Sequence, residues 1–552
     1  MVTVHFAPAG VSVSVEQGTT ILEASRRAGV LIEAPCNGAG HCGKCTVQIP
    51  LDDLPQIVVH VDAPADDSGE GVVLACHCEV YGDITVEVLR RAEEGLRVIS
   101  AGSGVQAEPN PFIVRIYDTS TQQTAIWAGV RLLATEPGDS MGRNYGLVVD
   151  IGTTTLVAAL VDLANGRELA SASALNPQSL HAQDVLSRIR FAADHDGLSL
   201  LQRDLITELN RLVREVSSKA GIDGGQIYEA VFSGNTCMLH LAAGVDPAPL
   251  GKHPFIPTLT GNSHLTATAI GLAIAPTGLV YLPPVISAYV GADISAGILA
   301  AGLADLPGVT LFIDIGTNGE LALAVNGRLT ASATAAGPAF EGMNISCGMR
   351  AAVGAVERVN IGTTGELDIA VIGSGEPSGI CGSGLMDLVA ELVGHGIIGR
   401  NGRFTTPDGL AAPLAARFDG AGSKAAFRIS DTVALTQKDV RQVQLAKGAI
   451  RAGIELLLRE EGLEAGHLDR VYIAGSFGYH LREQSLITLG LLPPEAAGKV
   501  AFLGNTARSG GEMLLVDHRL RSSLKALVDQ VSVVDLAGNP AFERVFMEAM
   551  GF

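Results

Sequence analysis

Positive charge is what this sequence has least of. Its 552 residues carry 38 lysines and arginines against 58 aspartates and glutamates, a formal net charge of −20, and no basic run reverses this locally. A surface of that sign repels phosphates rather than collecting them, which excludes nucleic acid as a partner. Long unbroken apolar runs are missing too. Ala269 to Leu303 is very apolar, but Pro276, Pro283, Pro284 and Asp293 interrupt it. A membrane-spanning helix needs about 20 nearly unbroken apolar residues, so the stretch reads as buried core with tight turns. Met1 to Val15 alternates apolar and polar residues and has no basic leader. The expectation is a cytoplasmic protein with no membrane contact. Charged residues are few overall, 17% against 47% hydrophobic, the opposite of a disordered chain. Cysteine is rare outside one region: of eight, five lie between Cys36 and Cys78. Clustered cysteines in a cytosolic chain point to metal binding or catalysis rather than disulfides.

Glycine is abundant: the sequence has 66, well above the usual share of about 7%. A length of this order corresponds to several folding units. Val2 to Phe6 and Val11 to Val15 read as a hairpin, and Thr19 or Thr20 caps a helix that ends at Gly29. The cysteines follow as C-x5-C-x2-C (Cys36, Cys42, Cys45), with Cys76 and Cys78 after a polar loop. Four thiolates hold a 2Fe–2S cluster, and Gly38, Gly40 and Gly43 let the loop turn tightly around one. A structural zinc site prefers two C-x2-C knuckles, and only one is present. The spacing alone leaves the fourth ligand open between Cys76 and Cys78. The loop is similar to that of adrenodoxin-type ferredoxins, whose pattern places the last ligand directly after the Val-Leu-Ala run, at Cys76.

Residues 101–111 are rich in Gly, Ser, Pro and Asn and read as linker. Phe112 to Tyr117 and Ala125 to Leu133 read as two strands, in a piece too short for a core of its own. The expected division is a ferredoxin module over 1–94, a flexible linker over 95–111, a short middle segment over 112–144, and a large nucleotide-binding domain over 145–552.

That large domain opens with an apolar strand ending in D-I-G-T-T-T (Asp150 to Thr155), and the design recurs as D-I-G-T-N-G-E (Asp314 to Glu320). Two related halves are implied. A glycine turn brings backbone N–H groups close to phosphate oxygens, threonine hydroxyls add donors, and a strand-end aspartate holds Mg²⁺, usually through water. Gly152, Thr153 and Thr154 on one turn, and Gly316, Thr317 and Asn318 on the other, are the expected phosphate contacts. Asp150 and Asp314 are the expected metal-binding catalytic pair. No Walker-type G-x4-G-K-[ST] is present. A third apolar strand runs into A-G-S-F-G, where Gly475, Ser476 and Gly478 resemble the adenosine-binding turn of the actin, sugar-kinase and heat-shock chaperone superfamily. The polar groups of the helix Gln437 to Arg459 read as a solvated face, with Lys447 a candidate for reaching nucleotide. Glu320, Asp184 and Asp293 are candidates for orienting the attacking water.

The whole combination resembles the family of reductive activators of corrinoid-dependent enzymes. It carries the ferredoxin loop, both Asp-Gly-Thr turns, A-G-P-A-F-E-G (Ala336 to Gly342), Q-K-D-V-R-Q-V-Q-L-A-K-G-A-I (Gln437 to Ile450) and A-G-S-F-G. The resemblance implies an α/β multidomain fold: a β-grasp 2Fe–2S ferredoxin joined to a duplicated RNase H-like ATPase domain. It implies an ATP-hydrolysing metalloreductase that passes one electron to cob(II)alamin, giving cob(I)alamin for methyl transfer. Cofactors would be the 2Fe–2S cluster on Cys36, Cys42, Cys45 and Cys76, with ATP and Mg²⁺. Partners would be the corrinoid protein of a methyltransferase system and a low-potential electron donor; a homodimer is compatible with it. One departure is visible: relatives carry a larger middle domain, where this chain keeps about 35 residues. Rival readings are a ferredoxin-linked nucleotide-sensing electron carrier without hydrolysis, an activator of a radical dehydratase, and a small-molecule kinase. The dehydratase activators carry a 4Fe–4S cluster and no N-terminal ferredoxin.

Overall fold

Alternation builds the first module. Val2–Ala7 (β1) buries Val2, Val4 and Phe6 and pairs antiparallel with Val11–Val15 (β2). Ile21–Ala28 (α1) starts where the Thr20 hydroxyl accepts from Glu23 N at 3.2 Å and stops at Gly29, whose φ is +68°. With Thr46–Gln48 (β3), Val72–Leu74 (β4) and Ile84–Val88 (β5), the strands form a five-stranded sheet in the order β2-β1-β5-β3-β4. The β1–β5 pair is parallel and the others antiparallel. A helix packed on such a mixed sheet is the β-grasp arrangement, and its core is built from Val2 through Val86 alone. The computed structural model describes residues 1–30, 32, 34, 38, 45–60, 71–88, 109–194, 196–475, 481–536 and 538–552.

The expected two-stranded middle piece has three strands: Ile113–Asp118 (β6), Gln123–Ala128 (β7) and Arg131–Pro137 (β8), in the order β8-β7-β6. The sequence does not separate β7 from β8, because only Gly129, with φ +57°, and the exposed Val130 lie between two apolar stretches. One face of this sheet, Ile113, Ile126, Ala128 and Leu133, packs on Tyr228, Ala275 and Leu279 of the large domain. Asn110 is fixed at the same junction: its N–H donates to Val516 O at 2.8 Å, and its carbonyl accepts from His518 N at 3.1 Å.

The two halves of the large domain repeat one topology. In the first, Tyr145–Ile151 (β9), Thr155–Asp162 (β10) and Arg167–Leu175 (β11) form an antiparallel meander. Ile227–Gly234 (β12) joins β9 in parallel, and Ser263–Thr266 (β13) and Leu279–Leu282 (β14) complete the order β11-β10-β9-β12-β14-β13. In the second, Val309–Ile315 (β15), Gly319–Val325 (β16) and Arg328–Thr334 (β17) form the meander, and Arg470–Ala474 (β18) joins β15 in parallel. Val500–Gly504 (β19) and Ser532–Val533 (β20) complete the order β19-β18-β15-β16-β17-β20. The central strands β9 and β15 read as continuous apolar runs because both of their faces are covered. Ala292–Ala300 (α5, after helices Val185–Ala192, α2, Gly197–Ala220, α3, and Thr236–Ala243, α4) crosses Thr506–Val516 (α8, after Gly382–Gly394, α6, and Gln437–Glu460, α7) at the joint between halves. Backbones touch there: a Cβ at Gly510 would lie 2.0 Å from Ala296 O. Among the described residues, no helix is long and apolar enough to cross a membrane.

Candidate nucleotide cleft and cluster site

Topology delivers both Asp-Gly-Thr turns to one cleft. The β9–β10 turn and the β15–β16 turn are the loops of equivalent hairpins, so the repeat brings them face to face. Thr154 Oγ1 and Thr317 Oγ1 are 3.4 Å apart across the cleft. The turns differ by one residue: Asp150 pairs with Val157, whereas Asp314 pairs with Glu320. The first turn closes with Gly152 N donating to Thr155 O at 3.0 Å, and the second with Gly316 N donating to Asn318 O at 3.0 Å. The first is also pinned through its carbonyls. Asn176 Nδ2 donates to Gly152 O (2.9 Å), Arg188 Nη2 to Thr153 O (2.6 Å) and Asn176 N to Thr154 O (2.9 Å). Arg188 is fully buried, and burial brings its pKa down to about 10. A cation beneath a phosphate turn adds positive potential where an anion would bind.

Asp150, Gly152, Thr153, Thr154, Asp314, Gly316, Thr317, Asn318 and Gly475 all line this cavity. Gly475 has φ +112°, and a Cβ there would lie 2.6 Å from Ile315 O, so the chain must be glycine to pass β15. Ser476 and Gly478 lie outside the described residues. Of the three water-orienting candidates, Glu320 and Asp293 line the cavity. Asp184 does not: its side chain caps α2, accepting from Ser187 N at 2.9 Å. Lys447 is buried against the chain's end, donating to Gly551 O with its ammonium 5.2 Å from the Phe552 ring centre. Asp439 and Gln444 on the same helix are buried as well, whereas Lys438, Arg441 and Arg459 are exposed, so only part of its polar residues form a solvated face.

Three more residues line the cleft: Asn235 and Asn505, which lie in the strand-end turns Ser233 to Thr236 and Gly504 to Thr506, and Glu341. Asn505 caps α8 by accepting from Arg508 N and donates to Asp150 Oδ2 at 2.8 Å. Asn235, the cap of α4, lines the wall. Glu341 bonds to both Thr154 and Thr317, at 2.7 and 3.0 Å. A Gly-Asn-Thr at each strand end was the available signal for the asparagines; for Glu341 only the A-G-P-A-F-E-G motif was.

The acidic groups are strained electrostatically. Burial pushes Asp150 up to about 6, with Asn505 and Arg508 opposing. Burial, then Asp150, takes Asp293 to about 7. Burial, then Asp293 and Asp150, takes Asp314 to about 8. Burial and the charges of Asp293 and Asp314 also raise Glu320 well above the ordinary glutamate value. Several carboxylates driven toward protonation in one cavity form a donor set for a hard divalent cation, which takes oxygen ligands and relieves the repulsion.

In the first module, the pairing of Thr46 with Leu74 brings the ends of β3 and β4 together. Cys45 Sγ consequently lies 3.2 Å from Cys76 Sγ. Two thiols side by side suit ligation of one metal centre. Cys78 belongs to the apolar core, and burial followed by the charge of Cys45 pushes its thiol up to about 12, the behaviour of an inert thiol. Cys36 and Cys42 lie outside the described residues.

Three family models match the chain: "2Fe-2S iron-sulfur cluster binding domain" over residues 4–81, "RACo middle region" over 145–305, and "C-terminal domain of RACo the ASKHA domain" over 308–552. The chain is 29% identical to "Corrinoid activation enzyme RamQ" of Eubacterium limosum, across 97% of this chain and 96% of that one. It is 25% identical to "[Co(II) methylated amine-specific corrinoid protein] reductase" of Methanosarcina barkeri, across 68% and 71%. A solved structure, "Reductive activator for corrinoid,iron-sulfur protein", superposes with a TM-score of 0.74 at 29% identity, covering 100% of this chain and 98% of that one. With cluster module and paired nucleotide turns in the same order along the chain, the protein belongs to the family of reductive activators of corrinoid-dependent enzymes.

Proposed function

We propose that this protein hydrolyses ATP to drive one electron from its 2Fe–2S module onto the Co(II) corrinoid of a partner protein, giving Co(I). The observation that carries this is the union in one chain of a thiol site (Cys45 and Cys76 at 3.2 Å) and a two-lobed cleft lined by both Asp-Gly-Thr turns. Full-length similarity to two corrinoid activators supports it.

Energetics explain the fusion. Plant-type 2Fe–2S centres lie near about −400 mV, and the cobalt(II)/(I) couple lies lower. A gap of ~200 mV costs ~4.6 kcal/mol for one electron, at ~2.3 kcal/mol per 100 mV. Nucleotide-driven closure supplies such a difference when open and closed states bind the corrinoid partner differently.

The residues divide the work. Cys36, Cys42, Cys45 and Cys76 would hold the cluster, which when bound supplies one-electron transfer. Thr153, Thr154, Gly316, Thr317 and Asn318 bind phosphate oxygens from opposite lobes, with Gly152 shaping the first turn. Asp150 and Asp314 hold Mg²⁺, which when bound offsets phosphate charge. Gly475, with Ser476 and Gly478 of the same motif, would bind the adenosine. A low-potential donor refills the cluster.

The test follows the cobalt spectrum of a corrinoid protein under anaerobic conditions with a low-potential reductant. Co(I) is expected only with MgATP, and is expected to be lost in Cys42→Ala and in Asp314→Ala. Co(I) forming equally without nucleotide would remove the energy-coupling argument.

A further inference from the structure

Among the described residues, five carboxylates line the cleft, and they fall into two groups. Asp150, Asp293, Asp314 and Glu320 act on one another's charge. Glu341 bonds instead to hydroxyls from both lobes. Thr154 Oγ1 donates to its Oε2 at 2.7 Å, and Thr317 Oγ1 lies 3.0 Å from each of its oxygens. The charges acting on Glu341 are those of Arg350 and Arg188.

The aim of this carboxylate is set by packing. Glu341 ends a tight turn, Pro338–Glu341, between Gly337 and Gly342, both with φ near +80° (+77° and +78°). Ala339 and Phe340 anchor that turn in the core of the second lobe. A Cβ at Gly342 would lie 2.3 Å from Met349 O, and one at Gly382 would lie 1.7 Å from Phe340 O. The start of α6 at Gly382 therefore packs directly against the Glu341 turn.

We propose that Glu341 is the catalytic residue that orients the attacking water and accepts its proton; this rests on reading the cleft as an ATPase site. A threonine hydroxyl has a single proton to donate. When a terminal phosphate enters between Thr154 and Thr317, those protons turn to its oxygens and Glu341 loses both donors. Its carboxylate then lies beside the groups that grip the phosphate, within the reach, directly or through one water, that a general base needs. Asp150 and Asp314 are the cation's ligands in this reading, and Asp293 and Glu320 act by charge on the Asp314 side of the cavity. In the step, the water oxygen forms a bond to the γ-phosphorus. The bond from that phosphorus to the bridging oxygen breaks, and its electron pair leaves on ADP. The water proton passes to Glu341 and from there to solvent.

The experiment uses the full-length protein and two readouts, MgATP affinity by fluorescent-nucleotide competition and phosphate release in a single turnover. Glu341→Gln keeps the shape and removes the base. The expected result is phosphate release slowed by ~10²–10⁴-fold, with MgATP still bound. Glu341→Asp keeps the charge one methylene short and is expected to fall between. Glu341→Gln releasing phosphate at the parental rate would overturn the assignment alone, as would loss of nucleotide binding in both variants. No phosphate release from the parent protein would overturn the ATPase reading, and this assignment with it.

Discussion

At the residue scale the cleft is governed by charge. Asp150, Asp293 and Asp314 are held at about 6, 7 and 8, against an ordinary 3.8. The folded chain thus binds more protons than the unfolded one between about pH 4 and pH 8, so its cation-free stability falls as pH rises through that window. A divalent cation needs these groups ionised and reverses the trend. Calorimetric melting with chelator is expected to show a Tm that declines from about pH 5 to about pH 8, with the Mg²⁺-induced rise largest at the alkaline end. A Mg²⁺ effect that is greatest at pH 5 would contradict this account. Gly475 gives a second, steric test. Gly475→Ala places a methyl 2.6 Å from Ile315 O at φ +112°. We expect a loss of about 1–3 kcal/mol in urea unfolding, together with weakened nucleotide binding.

At the scale of elements, helix α7 shows where sequence reasoning succeeds and where it stops. Its existence and its start follow from local signals: apolar periodicity, and a capping box in which Thr436 and Asp439 bond reciprocally. Its buried polar face does not. Gln444 Nε2 donates to Met550 O at 2.9 Å and Lys447 reaches Gly551, partners distant in the chain that no periodicity reveals. The two Asp-Gly-Thr hairpins were legible because each is local and repeated. Glu341 was not, since its significance lies in contacts with Thr154 and Thr317, one from each lobe. Asp439 joins these levels. Beyond capping α7, it accepts from Ser346 N at 2.7 Å and from Ser346 Oγ at 3.0 Å, tethering the segment that follows Glu341. Hydrogen bonds to a charged acceptor are the stronger ones, so removing one that also holds Ser346 costs more than removing a cap alone. Asp439→Ala is expected to lose about 2–3 kcal/mol in urea unfolding, against about 1 kcal/mol for Thr436→Ala. Equal losses would mean that the tether contributes nothing.

At the scale of the whole molecule, electron and nucleotide chemistry occupy separate cores. The core of the first module draws on residues from Val2 to Val86, and the cores of the two lobes draw only on residues from Leu147 onward. Phosphate hydrolysis should therefore survive loss of the first module, whereas cobalt reduction requires both. Joining two modules in one chain replaces a bimolecular encounter by an effective concentration of about millimolar. Splitting the protein into residues 1–88 and 109–552 should leave phosphate release within about twofold of the parent while slowing Co(I) formation by ~10²–10³-fold at micromolar protein. Raising the concentration of the 1–88 fragment should restore it in proportion. The first fragment should carry the electron paramagnetic resonance signal of a reduced 2Fe–2S centre on its own, which checks that it has folded. Full cobalt reduction at micromolar fragment would mean that the modules find each other through a binding surface, and that the covalent joint only holds them at equal copy number.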